Sequence, residues 1–105
     1  MLYDKKWVYT FQPTLKPWQR LLLDAADLLE KYGWCQGSYH NRQHQFCMVG
    51  AVWAAAKTEV LNTAVKEASN HLIEITGPDI TGWNDRPERT REEIIAALRK
   101  AADAG

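Results

Sequence analysis

Three features of the sequence predict an all-α fold. Apolar residues recur at three-and-four spacing after Pro17, the stretch 47–56 is apolar on every side, and a Thr-x-x-Glu signal precedes the last amphipathic run. The expected form is a compact four-helix domain with an extended aromatic N-terminal arm. Residues 1–105 read as a single domain, with the arm at 1–16 and the helical core at 17–103.

Pro17 suits the first turn of the first helix, because the amide it lacks would have no helical partner there. Trp18, Leu21, Leu22, Ala25, Leu28, Leu29 and Tyr32 form its apolar stripe, with Gln19, Arg20, Asp24, Asp27, Glu30 and Lys31 opposite. Gly33 is the expected left-handed stop. Residues 33–46 are rich in glycine and amide side chains and read as a loop or hairpin turning near Asn41 and Arg42. The helix at 47–56 belongs in the middle of the domain, where Gly50 and Ala51 permit close approach of a neighbouring backbone. Thr58 can cap a third helix whose inward face is Val60, Leu61, Ala64, Val65, Ala68, Leu72 and Ile75, ended by Gly77 and Pro78. His71 falls at the edge of that stripe. A long loop then runs over 77–89 to the Thr90–Glu93 capping box and a fourth helix with Ile94, Ile95, Leu98 and Ala101 inward. In the arm, Trp7, Tyr9 and Phe11 alternate as a strand or an extended segment would, and offer one route to a homo-oligomer.

Apolar residues are 46% of the chain and charged residues 25%, a globular rather than a disordered balance. Thirteen basic residues meet thirteen acidic ones, so net charge gives no case for nucleic-acid or membrane binding. The charge is uneven, however: Lys31 to Thr58 holds no Asp or Glu but contains His40, Arg42, His44 and Lys57. Residues 1–11 do not read as a signal peptide, and no apolar run approaches the roughly 20 residues of a membrane helix. A cytoplasmic protein with Cys35 and Cys47 as thiols is therefore expected.

Three segments stand out: Gly33-Trp34-Cys35-Gln36-Gly37, Cys47-Met48-Val49-Gly50-Ala51, and Trp83-Asn84-Asp85-Arg86-Pro87-Glu88-Arg89-Thr90. Together they resemble a family of bacterial and phage proteins of unknown function that shares a G-W-x-Q-G turn, a C-x-x-G-A helix start and a W-N-D-x-P-x-R-T stretch. The resemblance spans about residues 18–102 and implies no activity.

The candidate binding residues are Trp34, Gln36, Trp83, Asn84, Asp85, Arg86 and Arg89. Their apolar rings and polar edges predict that the 33–37 turn and the 83–90 loop touch. The same residues have a purely structural reading: Trp83 plugs the core, Asn84 or Asp85 makes a local turn bond, and Arg86 or Arg89 pairs with Asp85 or a helix end. Cys35, His40, His44 and Cys47 supply the ligand types of a tetrahedral zinc site, but their spacing matches no standard finger. Cys47 at a helix start could serve as a nucleophile, with Gln36 as oxyanion donor, His40, His44 or His71 as base and Asn84 to orient that base. The expected function is a small non-enzymatic protein-binding or regulatory module without cofactor. Resemblance and size suggest a phage-encoded inhibitor of a host system; the alternative is a Cys47-dependent hydrolase or transferase.

Overall fold

The computed structural model describes residues 15–56 and 62–103. Among these, five helices follow one another: α1 (Pro17–Tyr32), α2 (Met48–Ala56), α3 (Asn62–Thr76), α4 (Ile80–Asn84) and α5 (Arg91–Asp103). The only β pairing among the described residues is isolated bridges at Trp34, His40 and Phe46. The aromatic arm, the Thr58 cap, Val60 and Leu61 lie outside the described residues.

The amphipathic stripes meet as their spacing requires. Leu21, Leu22, Ala25 and Leu29 of α1 pack with Ile94, Ile95, Leu98 and Ala101 of α5, and α3 adds Ala64, Val65, Ala68 and Leu72. Alanines at so many of these positions let the helix axes come close. Thr90 and Glu93 form the capping box: the Thr90 amide donates to Glu93 Oε1 at 2.9 Å, and the Glu93 amide to Thr90 Oγ1 at 3.2 Å. His71 is half-buried, its ring stacked 3.7 Å from that of Trp18.

Several details depart from the sequence reading. Gln19 is buried rather than outward. Its Nε2 donates to the Ala102 carbonyl at 2.9 Å and its Oε1 accepts from the Lys16 amide at 2.8 Å, tying the start of α1 to the end of α5. A helix end placed against another helix leaves orphan polar groups, and an amide side chain answers one of each kind. Tyr32 is exposed, its ring lying edge-on to Phe46 of the following loop at 6.5 Å rather than on the inner stripe of α1. Gly33 ends α1 at φ 103° and ψ 167°, an extended mirror conformation open essentially to glycine alone, rather than in the left-handed helical region. Within 77–89, residues 80–84 coil into α4, started by the Asp79 carboxylate accepting from the Gly82 amide at 3.0 Å.

Helix α2 is also less enclosed than its composition suggests. Met48, Ala51, Val52, Ala55 and Ala56 are buried, but Trp53 is 53% exposed. Gly50 faces the loop, and a Cβ on it would collide with the Tyr39 carbonyl, so this helix start and the 38–40 backbone are in direct contact. Gly50→Ala is expected to cost about 1–3 kcal/mol through overpacking. Thermal melts should show Tm lower by at least several degrees; an unchanged Tm would mean that the Tyr39 backbone gives way freely.

Candidate functional site

The loop between α1 and α2 is held by hydrogen bonds rather than by a core of its own. Asn41 sets its turn: Oδ1 accepts from the amides of Gln43 and Gln45, both at 3.0 Å, and its carbonyl accepts from His44 at 3.0 Å. His44 takes the left-handed conformation there, with φ 64°. Either side of the turn, Asn41 bonds Gln45 and the Cys47 amide bonds the Tyr39 carbonyl at 3.1 Å. Phe46 thereby faces His40 on one side and Trp34 on the other.

The 33–37 turn and the 83–90 loop meet, and Asn84 lies between them with no exposed surface. Its Oδ1 accepts from Trp34 Nε1 at 2.8 Å and from the Met48 amide at 3.0 Å. Its Nδ2 donates to the Cys35 carbonyl at 3.3 Å and to Asp85 Oδ1 at 2.8 Å. Two donors at the oxygen and two acceptors at the nitrogen use the whole capacity of the amide and fix its orientation. Gln36 Nε2 donates to the carbonyls of Asn84 and Arg86, at 3.1 and 2.8 Å, and the Gly37 amide donates to Asp85 Oδ1 at 3.1 Å.

Of the partners expected for the arginines, Asp85 or a helix end, Arg89 takes the helix end, bonding the last turn of α4 and the first turn of α5. Its guanidinium lies 3.7 Å from the centre of the half-buried Trp83 ring, its Nε donates to the Trp83 carbonyl at 2.9 Å, and its Nη1 sits 3.7 Å from Glu93 Oε2. A cation stacked on indole and tied to the backbone anchors the loop. Arg86 is exposed and only its carbonyl joins the network. Of the seven candidate residues, Asn84 is sealed inside, Trp34, Trp83 and Arg89 are half-buried, and Gln36, Asp85 and Arg86 are exposed.

Cys47 caps α2, its Sγ accepting from the Gly50 amide at 3.3 Å. Burial pushes its thiol above the ordinary range; the Gly50 and Val49 amides pull the other way, and Cys35 and Asp85 add to the rise. Cys35 is raised too, first by burial, against a hydrogen bond to Ser38 and with a contribution from Asp85. A thiol favoured in its neutral form lacks the premise of a thiolate nucleophile. The zinc alternative also loses its geometry: among the described residues no three of His, Cys, Asp or Glu gather where they could hold a metal ion, so Cys35, His40, His44 and Cys47 do not converge.

Three outward aromatic residues are not among the candidate binding residues. Tyr39 is 62% exposed and Tyr32 and Trp53 about half. Tyr39, His40, Phe46, Gly50, Trp53 and Ala54 line a groove of about 330 Å³, and Tyr32 meets Phe46 edge-on at 6.5 Å.

A family of unknown function, DUF6197, has a model that matches residues 13–104. The chain belongs to this family. The match takes in α1 to α5 and hence both halves of the Asn84 network. No curated protein and no solved structure matches the chain. No described helix is long and apolar enough to cross a membrane.

Two outcomes are expected. Asn84→Ala leaves the Met48 amide, Trp34 Nε1 and the Cys35 carbonyl without partners, so urea unfolding should show a loss of about 3 kcal/mol or more at roughly 1–3 kcal/mol per orphaned group. A loss below about 1 kcal/mol would refute the amide as the joint of the network. The raised thiols make a statement about pH. Their contribution to stability is fully present below the unfolded thiol's pKa and is lost as pH rises through the higher folded value. Native Cys35 and Cys47 should therefore alkylate with iodoacetamide far more slowly than in denaturant; fast native labelling of Cys47 at neutral pH would overturn the assignment of an inert cap.

Proposed function

We propose that this protein is a non-enzymatic protein-binding module that presents a fixed aromatic face to its partner. The observation that carries the reading is the exposure of Trp53 and Tyr39, at 53% and 62%, on a frame whose neighbouring polar groups are bonded to one another. Large apolar rings left in water are costly unless something covers them, and Trp, Tyr and Arg are the residues that dominate binding energies at interfaces. The loop and α2 supply rings around the groove, and the 32–56 stretch around it holds no Asp or Glu. Gln36, Asp85 and Arg86 stand exposed on the adjoining network and would form a polar rim. Trp34, Trp83, Asn84 and Arg89 support that rim from beneath. We place the module in the cytoplasm, where Cys35 and Cys47 stay reduced. Regulation by occupancy, of which a phage-encoded inhibitor of a host system is one form, is the mode such a face serves.

The test is affinity capture from a native lysate with the wild-type chain, Trp53→Ala and Tyr39→Ala side by side. A stoichiometric partner should be held by wild type and weakened at least tenfold by Trp53→Ala, a loss of at least ~1.4 kcal/mol. Tm should shift little, since both side chains project outward. A partner held equally by both variants, or none held by the wild type, would overturn the reading.

A further inference from the structure

Tyr39 also lines a second cavity, of about 230 Å³, with Gly37, Ser38, Cys47, Thr81 and Asp85. The donors that Gly37, Ser38 and Thr81 bring to it are already committed within the fold. The Gly37 amide is already committed to Asp85 Oδ1 at 3.1 Å. The Ser38 hydroxyl donates to the His40 carbonyl at 3.0 Å, and the Thr81 hydroxyl to Asp79 Oδ1 at 3.2 Å. With those protons spent, both hydroxyls keep lone pairs to offer and little to donate. Asp85 is held in place by its Oδ1, which takes bonds from Gly37 and Asn84, while Oδ2 has no partner among the described residues. No Lys or Arg lines the cavity. Asp79, at the start of α4, adds a second carboxylate beside Thr81.

The field inside agrees with this inventory: the Asp85 charge works in the same direction as burial on both nearby thiols, favouring their neutral form. A ligand that suits such a lining brings donors and positive charge. Its volume is below the roughly 300–1,000 Å³ of ordinary small-molecule sites, so it suits one side chain rather than a whole metabolite.

We propose that this cavity binds the guanidinium or ammonium group of a basic side chain on the protein's partner, between the Asp85 carboxylate and Tyr39. The proposal rests on the protein-binding reading for the source of the cation. Asp85 Oδ2 and the hydroxyls of Ser38 and Thr81 accept its hydrogen bonds, and the exposed Tyr39 ring covers its face. A guanidinium, planar and carrying five donors, fits several acceptors around a ring better than a point-like ammonium. The carboxylate is held at Oδ1 by the buried Asn84 amide and by the Gly37 main chain, so little ordering is left to the moment of binding.

The experiment uses the 15N-labelled full chain and follows the amides of Gly37, Thr81 and Gly82. The probes are acetylated, amidated tripeptides Gly-Arg-Gly, Gly-Lys-Gly and Gly-Glu-Gly, together with methylguanidinium. Saturable shifts are expected with the arginine peptide, weaker ones with the lysine peptide and none with the glutamate peptide, all diminishing as salt is raised. Asp85→Asn keeps an Oδ1 acceptor for Gly37 and Asn84 while removing the charge, so it should keep its Tm and bind at least tenfold more weakly. Tyr39→Leu should weaken binding independently, and carries the test should Asp85→Asn fail to fold. Absence of saturable binding by any cation, equal binding of the glutamate peptide, or undiminished binding to Asp85→Asn would each overturn the proposal. Saturation by methylguanidinium but not by the arginine peptide would overturn the partner as the source of the cation. The two readings separate cleanly: a partner whose capture needs Trp53 but not Asp85 leaves the aromatic face standing without this cavity. Arginine-peptide binding that Asp85→Asn abolishes, with no Trp53-dependent partner, leaves the cavity standing alone.

Discussion

One buried amide, the side chain of Asn84, joins three parts of the chain that the helical core does not hold together. Its oxygen serves the first amide of α2 and the Trp34 indole; its nitrogen serves the Cys35 carbonyl and Asp85. The Met48 amide, the Trp34 indole N–H and the Cys35 carbonyl lose water when the segments close, and each would be costly to bury alone. The constraint is therefore mutual: the α2 start, the 33–37 turn and the last loop assemble as one unit. Partial assembly would strand polar groups, which is why such networks specify a single arrangement.

From this joint the geometry of the surface follows. With the α2 start fixed, Gly50 lies against the Tyr39 backbone, and the Cys47 amide takes the Tyr39 carbonyl. The Tyr39 side chain is then directed outward by its own main chain. Val49 and Trp53, one helical turn apart, fall on the side of α2 away from the α1 contacts, and Trp53 is left in solvent. The loop is fixed by its own hydrogen bonds, since 33–47 has few apolar side chains to bury.

The helices were legible because their period was clean. Leu21, Leu22, Ala25 and Leu29 mark the inner face of α1, and the Thr90–Glu93 box marks the start of α5. The meeting of the two Trp-bearing segments could also be inferred, since both carried rings and amides needing cover. What failed had a physical cause in each case. Gln19 belongs by type on a surface, and only the approach of the α5 terminus gives it two partners inside. Trp53 sits in a run apolar on all sides, where no polar residue marks the open face. For Arg89 the sequence leaves Asp85 and a helix end open; the path of the loop decides for the helix ends and adds the Trp83 ring, which no spacing marks. Asn84 was one of several amides; nothing in its spelling distinguishes a hub from a turn residue.

The polar residues divide by how much bonding capacity they retain. Asn84 has none left, and Gln36 Nε2 is shared between two carbonyls. Cys47 is occupied in capping a helix and held as a neutral thiol. Groups so engaged stabilise, because drawing any of them toward a ligand would orphan its present partner. Asp85 is less fully engaged, with Oδ1 invested in Gly37 and Asn84 while Oδ2 has no partner among the described residues, beside a cavity where the Ser38 and Thr81 hydroxyl protons are already spent. Beside it, Tyr39 and Trp53 hold apolar area that the fold has not covered. Sequence motifs alone cannot separate these classes, since Asn84 and Asp85 are neighbours in the same stretch. The direction of their hydrogen bonds separates them: the amide is turned inward and complete, the carboxylate half-used and facing out. On the protein-binding reading proposed above, recognition falls at the outer edge of the network, where bonding capacity and exposed rings coincide.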